Sequence, residues 1–405
     1  PADVPEILFA FSTDQGASFT STVDPVTRFN VSETPLQASF APRMAAAGSS
    51  FFFVWQDQLP GNFEIMLRSP SLLGPKAIEF SSRRPVNLSA TPEDSRLPSV
   101  AVTGSNLYVV WEEGEVLSPG EIMFKRATPA LGSSPDNLSA NRSRPAITPN
   151  MAVDGSDVYA VWSQFPDAAT GLEVFVRQST DSGKNFSPRF NLSDRFGDSS
   201  HPRVAAAGQA VYVVWQEDAD TPGVHDIFFR RSVNRGVTWD SPMNLSDFGG
   251  IFTNDSRAPT IAAIGSEVYV AWEDETTKDG SPQIFFRRSL DQGVTWDDPL
   301  QVTCEFTGKR FQAFAPGLAV AGSNVYLIWK QFAGGRLEIH LIFTTEEKGH
   351  HVCGATVGAG FVNLTDGLDP VLVDDPLSAR VAEPQVAAAG SMVYVIWRQE
   401  DEILF

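Results

Sequence analysis

Short apolar runs rich in Val, Tyr, Phe and Trp alternate along this chain with clusters of Gly, Asn, Asp and Pro, a pattern that predicts strands separated by turns. Seven of the runs end in tryptophan: "SFFFVWQD" (Trp55), "NLYVVWEE" (Trp111), "DVYAVWSQ" (Trp162), "AVYVVWQE" (Trp215), "EVYVAWED" (Trp272), "NVYLIWKQ" (Trp329) and "MVYVIWRQ" (Trp397). Successive members stand 51 to 68 residues apart, so the chain is a repeat with loops of varying length. Each copy reads as a segment after a proline such as "PRVAAAG", the Trp-ending run, a variable loop, a second apolar run such as "DIFFRRS", a turn, and a short "MNLS"-like segment. These are four antiparallel strands, A to D in chain order.

Strand B decides the architecture. In "LYVVW", Leu107, Val109 and Trp111 fall on one face and Tyr108 and Val110 on the other, so the strand is apolar on both sides and needs a sheet against each. Seven four-stranded antiparallel blades packed face to face around an axis meet that need, and the predicted fold is an all-β, seven-bladed β-propeller. A solenoid of stacked sheets is the competing arrangement, but it calls for shorter, more uniform repeats and capping ends.

The ends of the chain predict closure of one domain over residues 1–405. Residues 1–34 carry strands C and D of the closing blade, 35–383 six full blades, and 384–405 strands A and B of the closing blade. The N-terminal strands thus join the C-terminal blade. "EILF" at 402–405 duplicates the C-strand start at 6–9, which leads us to expect a monomer or a part of a longer repeat-bearing protein.

The turn between C and D recurs as "STDQGASF" (12–19), "STDSGKNF" (179–186), "SVNRGVTW" (232–239) and "SLDQGVTW" (289–296), a pattern SxDxGxxW. Its residue types have a local reason. Ser and Asp side chains bond turn amides, Gly takes positive φ, and the aromatic ring is expected to fold back on the hairpin. The pattern resembles the Asp-box, or bacterial neuraminidase repeat, of sialidase-like propellers. In that family the box is structural and lies away from the active-site face. The resemblance therefore implies a scaffold role for Asp14, Gly16, Asp181, Gly183, Asn234, Gly236, Trp239, Asp291, Gly293 and Trp296.

Sialidases, which the chain resembles in fold, use a tyrosine nucleophile with a glutamate, an aspartate acid/base and three arginines on the substrate carboxylate. All six tyrosines here (Tyr108, Tyr159, Tyr212, Tyr269, Tyr326, Tyr394) occupy one strand-B slot, three residues before the tryptophan, and none is spare. "SRLPS" (Arg96) matches the family's arginine motif and "SRAPT" (Arg257) does so more loosely; Arg144, Arg203 and Arg380 fall in comparable loops. Only blades two and five combine such an arginine with Glu directly after the strand-B tryptophan: Arg96 with Glu112 and Arg257 with Glu273. We expect an ion pair within each blade, worth about 0–1 kcal/mol at an exposed rim. Charged clamps facing a common central pocket are the alternative, with Arg96, Arg257, Glu112, Glu273 and Glu217 as ligand-binding candidates.

Composition narrows the function classes. A formal charge of −19, from 49 acidic and 30 basic residues, repels phosphate backbones and anionic membrane surfaces, so no nucleic-acid partner is expected. No apolar run approaches the roughly 18 residues of a membrane-spanning helix, and "PADVPEILFAF" lacks the form of a signal peptide, which allows a leader already removed. Cys304 and Cys353 permit at most one bridge. The Asn-x-Ser/Thr triplets at Asn30, Asn87, Asn137, Asn191, Asn244 and Asn363 share one repeat slot, which favours a structural role over glycan attachment; an extracellular or cell-surface location is nonetheless expected. "KGHHVCG" (His350, His351, Cys353) lacks a second ligand cluster for zinc. The acidic loops 246–257 and 366–376 could bind calcium but lack EF-hand spacing, and no cofactor is expected. The sequence reading is a non-catalytic binding or scaffold propeller for a glycan or protein, with a sialidase-like glycoside hydrolase using rim arginines and carboxylates as the alternative.

Overall fold

The computed structural model describes residues 6–17, 19, 29–32, 38–48, 50–58, 61–74, 77–80, 85–114, 120–127, 134–140, 144–166, 171–194, 197–221, 223–247, 255–275, 281–303, 311–333, 336–344, 361–364 and 384–399. They form seven four-stranded antiparallel sheets and one two-stranded hairpin. Blade five shows the pattern: A is Ser256–Ile264, B Glu267–Asp274, C Gln283–Ser289 and D Leu300–Gln301. Each strand A lies against strand A of the next blade, and the strand A of blade seven, Gln385–Ala389, lies against that of blade one, Ser39–Ala47. The ring is closed with the A strands innermost.

Closure uses both ends of the chain. In blade seven, B (Met392–Gln399) pairs antiparallel with Glu6–Ser12, and that strand pairs with Phe29–Asn30. Blade one carries an additional hairpin, Pro70–Gly74 with Ala77–Phe80, between its C strand Phe63–Arg68 and its D strand Val86–Asn87. The duplicated segment 402–405, Cys304, Cys353, His350, His351 and Arg380 lie outside the described residues.

The two faces of strand B are buried in two different cores. Leu107, Val109 and Trp111 pack with blade one, while Tyr108 and Val110 pack with blade three. All five residues are fully buried, so the two faces of the blade are covered by its neighbours on either side.

In blades one to six strand A differs from the expectation of a segment beginning after proline. It starts several residues earlier and passes through a bulge at the residue before the proline, whereas in blade seven Gln385–Ala389 begins directly after Pro384. Ala41, Leu97, Thr148, His201, Ala258 and Ala315, each preceding a proline, all have φ between 47° and 54°. The ring Cδ of proline disfavours the helical region for these residues, and the bulge holds them left-handed at a local cost of order 1 kcal/mol each.

The SxDxGxxW turns have one geometry. In blade five, Ser289 Oγ donates to Asp291 Oδ1 at 2.8 Å and accepts the Gly293 N–H at 2.8 Å, while Asp291 Oδ1 also accepts the Thr295 N–H at 2.8 Å. Blade four substitutes Asn234, whose Oδ1 accepts from Ser232 Oγ and from the Thr238 N–H, both at 2.9 Å. The aromatic ring reaches further than its own hairpin. Trp296 meets Phe229 of blade four edge-on at 5.0 Å between centroids, and Phe186 meets Phe124 of blade two at 4.9 Å. The turn glycine lies against the same ring: a Cβ on Gly293, at φ 79°, would stand 2.6 Å from Phe229 Cζ. Each such turn is a staple between blades.

The Asn-x-Ser segments are likewise engaged. Ser246 Oγ accepts the Ile227 N–H at 2.9 Å, and Asn244 Oδ1 accepts the Asp247 N–H at 3.1 Å. Ser89, Ser139 and Ser193 repeat the first bond in their blades.

Candidate functional site

The B–C and D–A loops share one end of the propeller, opposite the SxDxGxxW turns. The residues beside the strand-B tryptophans stand at that end, and the structure gives the two positions separate tasks. The second residue after the tryptophan turns back to its own blade. Trp215 Nε1 donates to Glu217 Oε2 at 2.7 Å, and Ser199 Oγ donates to the same oxygen at 3.1 Å. Glu217 is 1% exposed. Asp274, Glu113 and Gln164 receive the indole N–H in their blades at 3.0 to 3.1 Å.

The residue directly after the tryptophan reaches the next blade. Gln56 Oε1 accepts the Leu97 N–H at 2.9 Å, Gln216 Oε1 the Ala258 N–H at 3.0 Å, and Glu273 Oε1 the Ala315 N–H at 2.6 Å. Glu112 accepts the Thr148 N–H in the same way. The amides concerned belong to the left-handed bulge residues, whose N–H leaves its own ladder and needs an acceptor. Burial pushes the Glu112 carboxyl above its ordinary range, while the Thr148 amide and the Arg96 charge oppose that shift.

Arg96 and Glu112 are Cα partners across strands A and B, as are Arg257 and Glu273. The salt bridge of each arginine nevertheless goes to the aspartate two residues before it, Asp94 and Asp255. These aspartates tie blades together: Asp94 Oδ1 accepts the Phe63 N–H at 2.8 Å, and Asp255 Oδ1 accepts the His225 N–H at 3.0 Å and lies 2.9 Å from His225 Nδ1. Burial first, then the Arg257 charge, pushes the His225 imidazole below its ordinary value. The Arg96 guanidinium stands 5.2 Å over the Phe63 ring. Arg96 with Glu112 and Arg257 with Glu273 are thus neighbours across the ladder, but the salt bridge of each arginine is to an aspartate aimed at the preceding blade rather than the expected one to its glutamate.

Neither Arg96 nor Arg257 lines the central channel. The cavity there, about 210 Å³, is lined instead by Arg43 and Arg203 together with Ser99, Asn150, Thr260 and Gln385. These six occupy one slot, the strand-A residue paired with the residue before the tryptophan. In blades one to five it is the first residue past the bulge, and the sixth blade has Gly317 there. The Arg43 and Arg203 Nη1 groups donate to the carbonyls of Pro42 and Pro202 at 3.0 and 3.1 Å. Asn150 Nδ2 donates to Ser99 Oγ at 3.3 Å, and its Oδ1 accepts the Val204 N–H at 3.0 Å. Arg203 was visible in sequence only as one of several loop arginines, and Arg43 was missed. A signal was present, since "APRMAAAG" (41–48) and "HPRVAAAG" (201–208) share their Pro-Arg.

Among the described residues no group of three or more His, Cys, Asp or Glu side chains is placed to hold a metal ion. The loop 366–376 and most of 246–254 lie outside the described residues. No described helix is long and apolar enough to cross a membrane.

No protein-family profile matches this chain, and no curated relative matches it. Among solved structures it is similar to a Hadza microbial sialidase at 14% identity, with 72% of this chain and 63% of that one covered and a TM-score of 0.46. It is similar to an α-L-arabinofuranosidase of Fusarium graminearum at 14% identity, covering 72% and 88%, with a TM-score of 0.47. A Trypanosoma rangeli sialidase mutant matches at 10% identity, covering 75% and 54%, with a TM-score of 0.48. The chain thus spans less than two thirds of the length of either sialidase.

Proposed function

We infer that this propeller is a non-catalytic binding module of a secreted or cell-surface protein, recognising a glycan at the end of the ring that carries the B–C and D–A loops. The observation that carries this reading is the occupation of the rim carboxylates. Glu217 is committed to an indole and a serine hydroxyl, and Glu112 and Glu273 to amides of the next blade. Hydrolysis of a glycoside by paired carboxylates needs one group able to donate a proton and another able to attack or to activate water. Acids already serving as acceptors for the scaffold are poorly suited to either task. The SxDxGxxW turns then act as Asp-boxes in the structural sense, fastening blades at the opposite end.

The test combines a panel of fluorogenic glycosides with capture on a glycan array. The reading predicts capture without turnover. Robust turnover that is abolished by Arg96→Ala or Glu112→Gln, with the fold retained by circular dichroism, would establish the hydrolase instead.

A further inference from the structure

The Asn-x-Ser segments of blades three and four divide their work between the two ends of one amide. Asn244 Oδ1 accepts the Ser246 and Asp247 N–H groups at 3.0 and 3.1 Å and the Ser246 hydroxyl at 3.1 Å. Asn191 Oδ1 accepts the Ser193 and Asp194 N–H groups, both at 3.2 Å, and the Ser193 hydroxyl at 3.4 Å. The oxygens are thus committed to the turn. The nitrogens are not: among the described residues Nδ2 of Asn191 and of Asn244 meets no acceptor, and neither atom is a buried unpaired one. Both side chains are half-buried, so these N–H groups face water. Asn137 of blade two is built differently, because its Nδ2 donates to Glu121.

The hydroxyl two residues on has its own task. Ser193 and Ser246 Oγ accept the Val174 and Ile227 N–H groups at 2.9 Å, and the intervening Leu192 and Leu245 are fully buried. Blade five shows that this task needs no asparagine. Gln301 stands in the slot there, and Thr303 Oγ1 still accepts the Ile284 N–H at 2.8 Å. The scaffold therefore accounts for the hydroxyl and for the amide oxygen, and leaves the amide nitrogen over. Asparagine, a residue other than proline, and serine or threonine form the tripeptide that N-linked glycan transfer reads. Asn191 and Asn244 lie on strand D, at the far side of each sheet from the innermost strand A, so a glycan there stands on the outer wall, away from the channel.

We propose that Asn191 and Asn244 are attachment sites for N-linked glycans. This rests on the reading of the protein as secreted or cell-surface. In the transfer step Nδ2 bonds to C1 of the first sugar of a lipid-phosphate-linked oligosaccharide. The C1–O bond to phosphate breaks, the lipid phosphate leaves with the electron pair, and Nδ2 gives up one proton. The Oδ1 bonds to the turn survive the change. Ser193 and Ser246 are buried in the folded blade, so an enzyme that reads their hydroxyls acts before the blade closes.

The test is peptide mapping of the full chain recovered from the medium, surface and interior of the cells that make it. Glycans are released by an amidase in heavy-oxygen water, which marks each occupied asparagine as heavy aspartate. Label at Asn191 and Asn244 is expected in exported protein that is folded by circular dichroism. Asn191→Gln and Asn244→Gln bring in the residue type of blade five; each should remove the mass of one glycan and leave the chain folded. Ser193→Thr should keep both label and melting temperature, whereas Ser193→Ala should lose the label and lower the melting temperature, since the Val174 amide loses its acceptor. Exported, folded protein bare at Asn191 and Asn244 would overturn the sites and leave the secreted reading standing. Label confined to chains that fail to fold would overturn them as well. Protein found only in the cell interior, and bare, would overturn the secreted reading and the sites with it.

Discussion

Arg68 Nη1 donates to the Val31 carbonyl oxygen at 2.8 Å, joining strand C of the first full blade to the strand-D segment of the closing blade. The bond crosses the seam at which the two ends of the chain meet. The same slot in strand C carries Lys125, Arg177, Arg230 and Arg287, which donate to the carbonyls of Leu88, Leu138, Leu192 and Leu245, each in the preceding blade. In blades six and seven the slot holds Ile342 and Ala10, so two junctions lack this cationic tie. Burial pushes the Arg177, Arg230 and Arg287 side chains down from their ordinary value, without bringing an arginine near neutrality at physiological pH.

Arg68→Ala removes a charge-assisted bond from a side chain that is 3% exposed, and should cost about 2–3 kcal/mol, with the aliphatic stem contributing part. Arg68→Lys, the residue type that blade two uses, should recover most of it. Thermal melts of the three proteins measure the order. A wild-type melting temperature for the alanine variant would remove the seam bond from the account.

Hydrogen exchange should resolve the uneven junctions. Amides of Val325–Trp329 in blade six are expected to exchange faster than those of Val211–Trp215 in blade four, because only the latter blade has cationic ties on both of its sides. Equal protection at the two strands would mean that hydrophobic contacts alone set the junction strength.

The turn glycines offer a paired comparison. Gly293→Ala brings a Cβ to 2.6 Å from Phe229 Cζ at φ 79°, whereas Gly104→Ala at φ 56° meets nothing within 4 Å. The second change should cost about 1 kcal/mol for backbone strain alone. The first should cost roughly 2–4 kcal/mol, since overpacking adds to the strain. Denaturant titration of both variants checks the difference.

Much of this architecture was legible in the pattern of tryptophans. The two buried faces of Leu107–Trp111 required a sheet on each side, and the ring supplies them. What the sequence did not disclose are contacts made between blades. Arg287 and Arg288 look alike in "FFRRS", but the first reaches the Leu245 carbonyl and the second pairs with Asp297, a distinction set by blade spacing. Arg43 escaped notice for a related reason. Its approach to the axis depends on a left-handed Ala41, and no propensity marks alanine for φ 47°.

Glu217 gives a chemical test of the tryptophan cap. Glu217→Gln keeps an acceptor, as Gln164 does in blade three, and should be nearly neutral at pH 7. Glu217→Leu leaves a buried indole N–H and the Ser199 hydroxyl without that acceptor, at about 1–3 kcal/mol for each group stranded. The melting temperatures should therefore separate the two variants clearly.

Acid should act through the turns. Hydrogen bonds from the Thr295 hydroxyl and amide, with those from Ser289 and Val294, lower the Asp291 carboxyl from 3.8 to about 2. Because the folded value lies below the unfolded one, its contribution is fully present above the ordinary value and is lost as pH falls through the folded value. Asp291→Asn, the residue type found at Asn234, should weaken the decline of melting temperature between about pH 4 and pH 2. An unchanged acid profile would mean that other carboxylates govern it.

The central claim is that the carboxylates beside the tryptophans serve the scaffold rather than hydrolysis. The most direct measurement compares wild type with Glu112→Ala/Glu273→Ala for turnover of the fluorogenic glycoside panel and for melting temperature. The account predicts no turnover by either protein and a lower melting temperature for the variant. Robust wild-type turnover that the variant loses, with its melting temperature unchanged, would contradict the account.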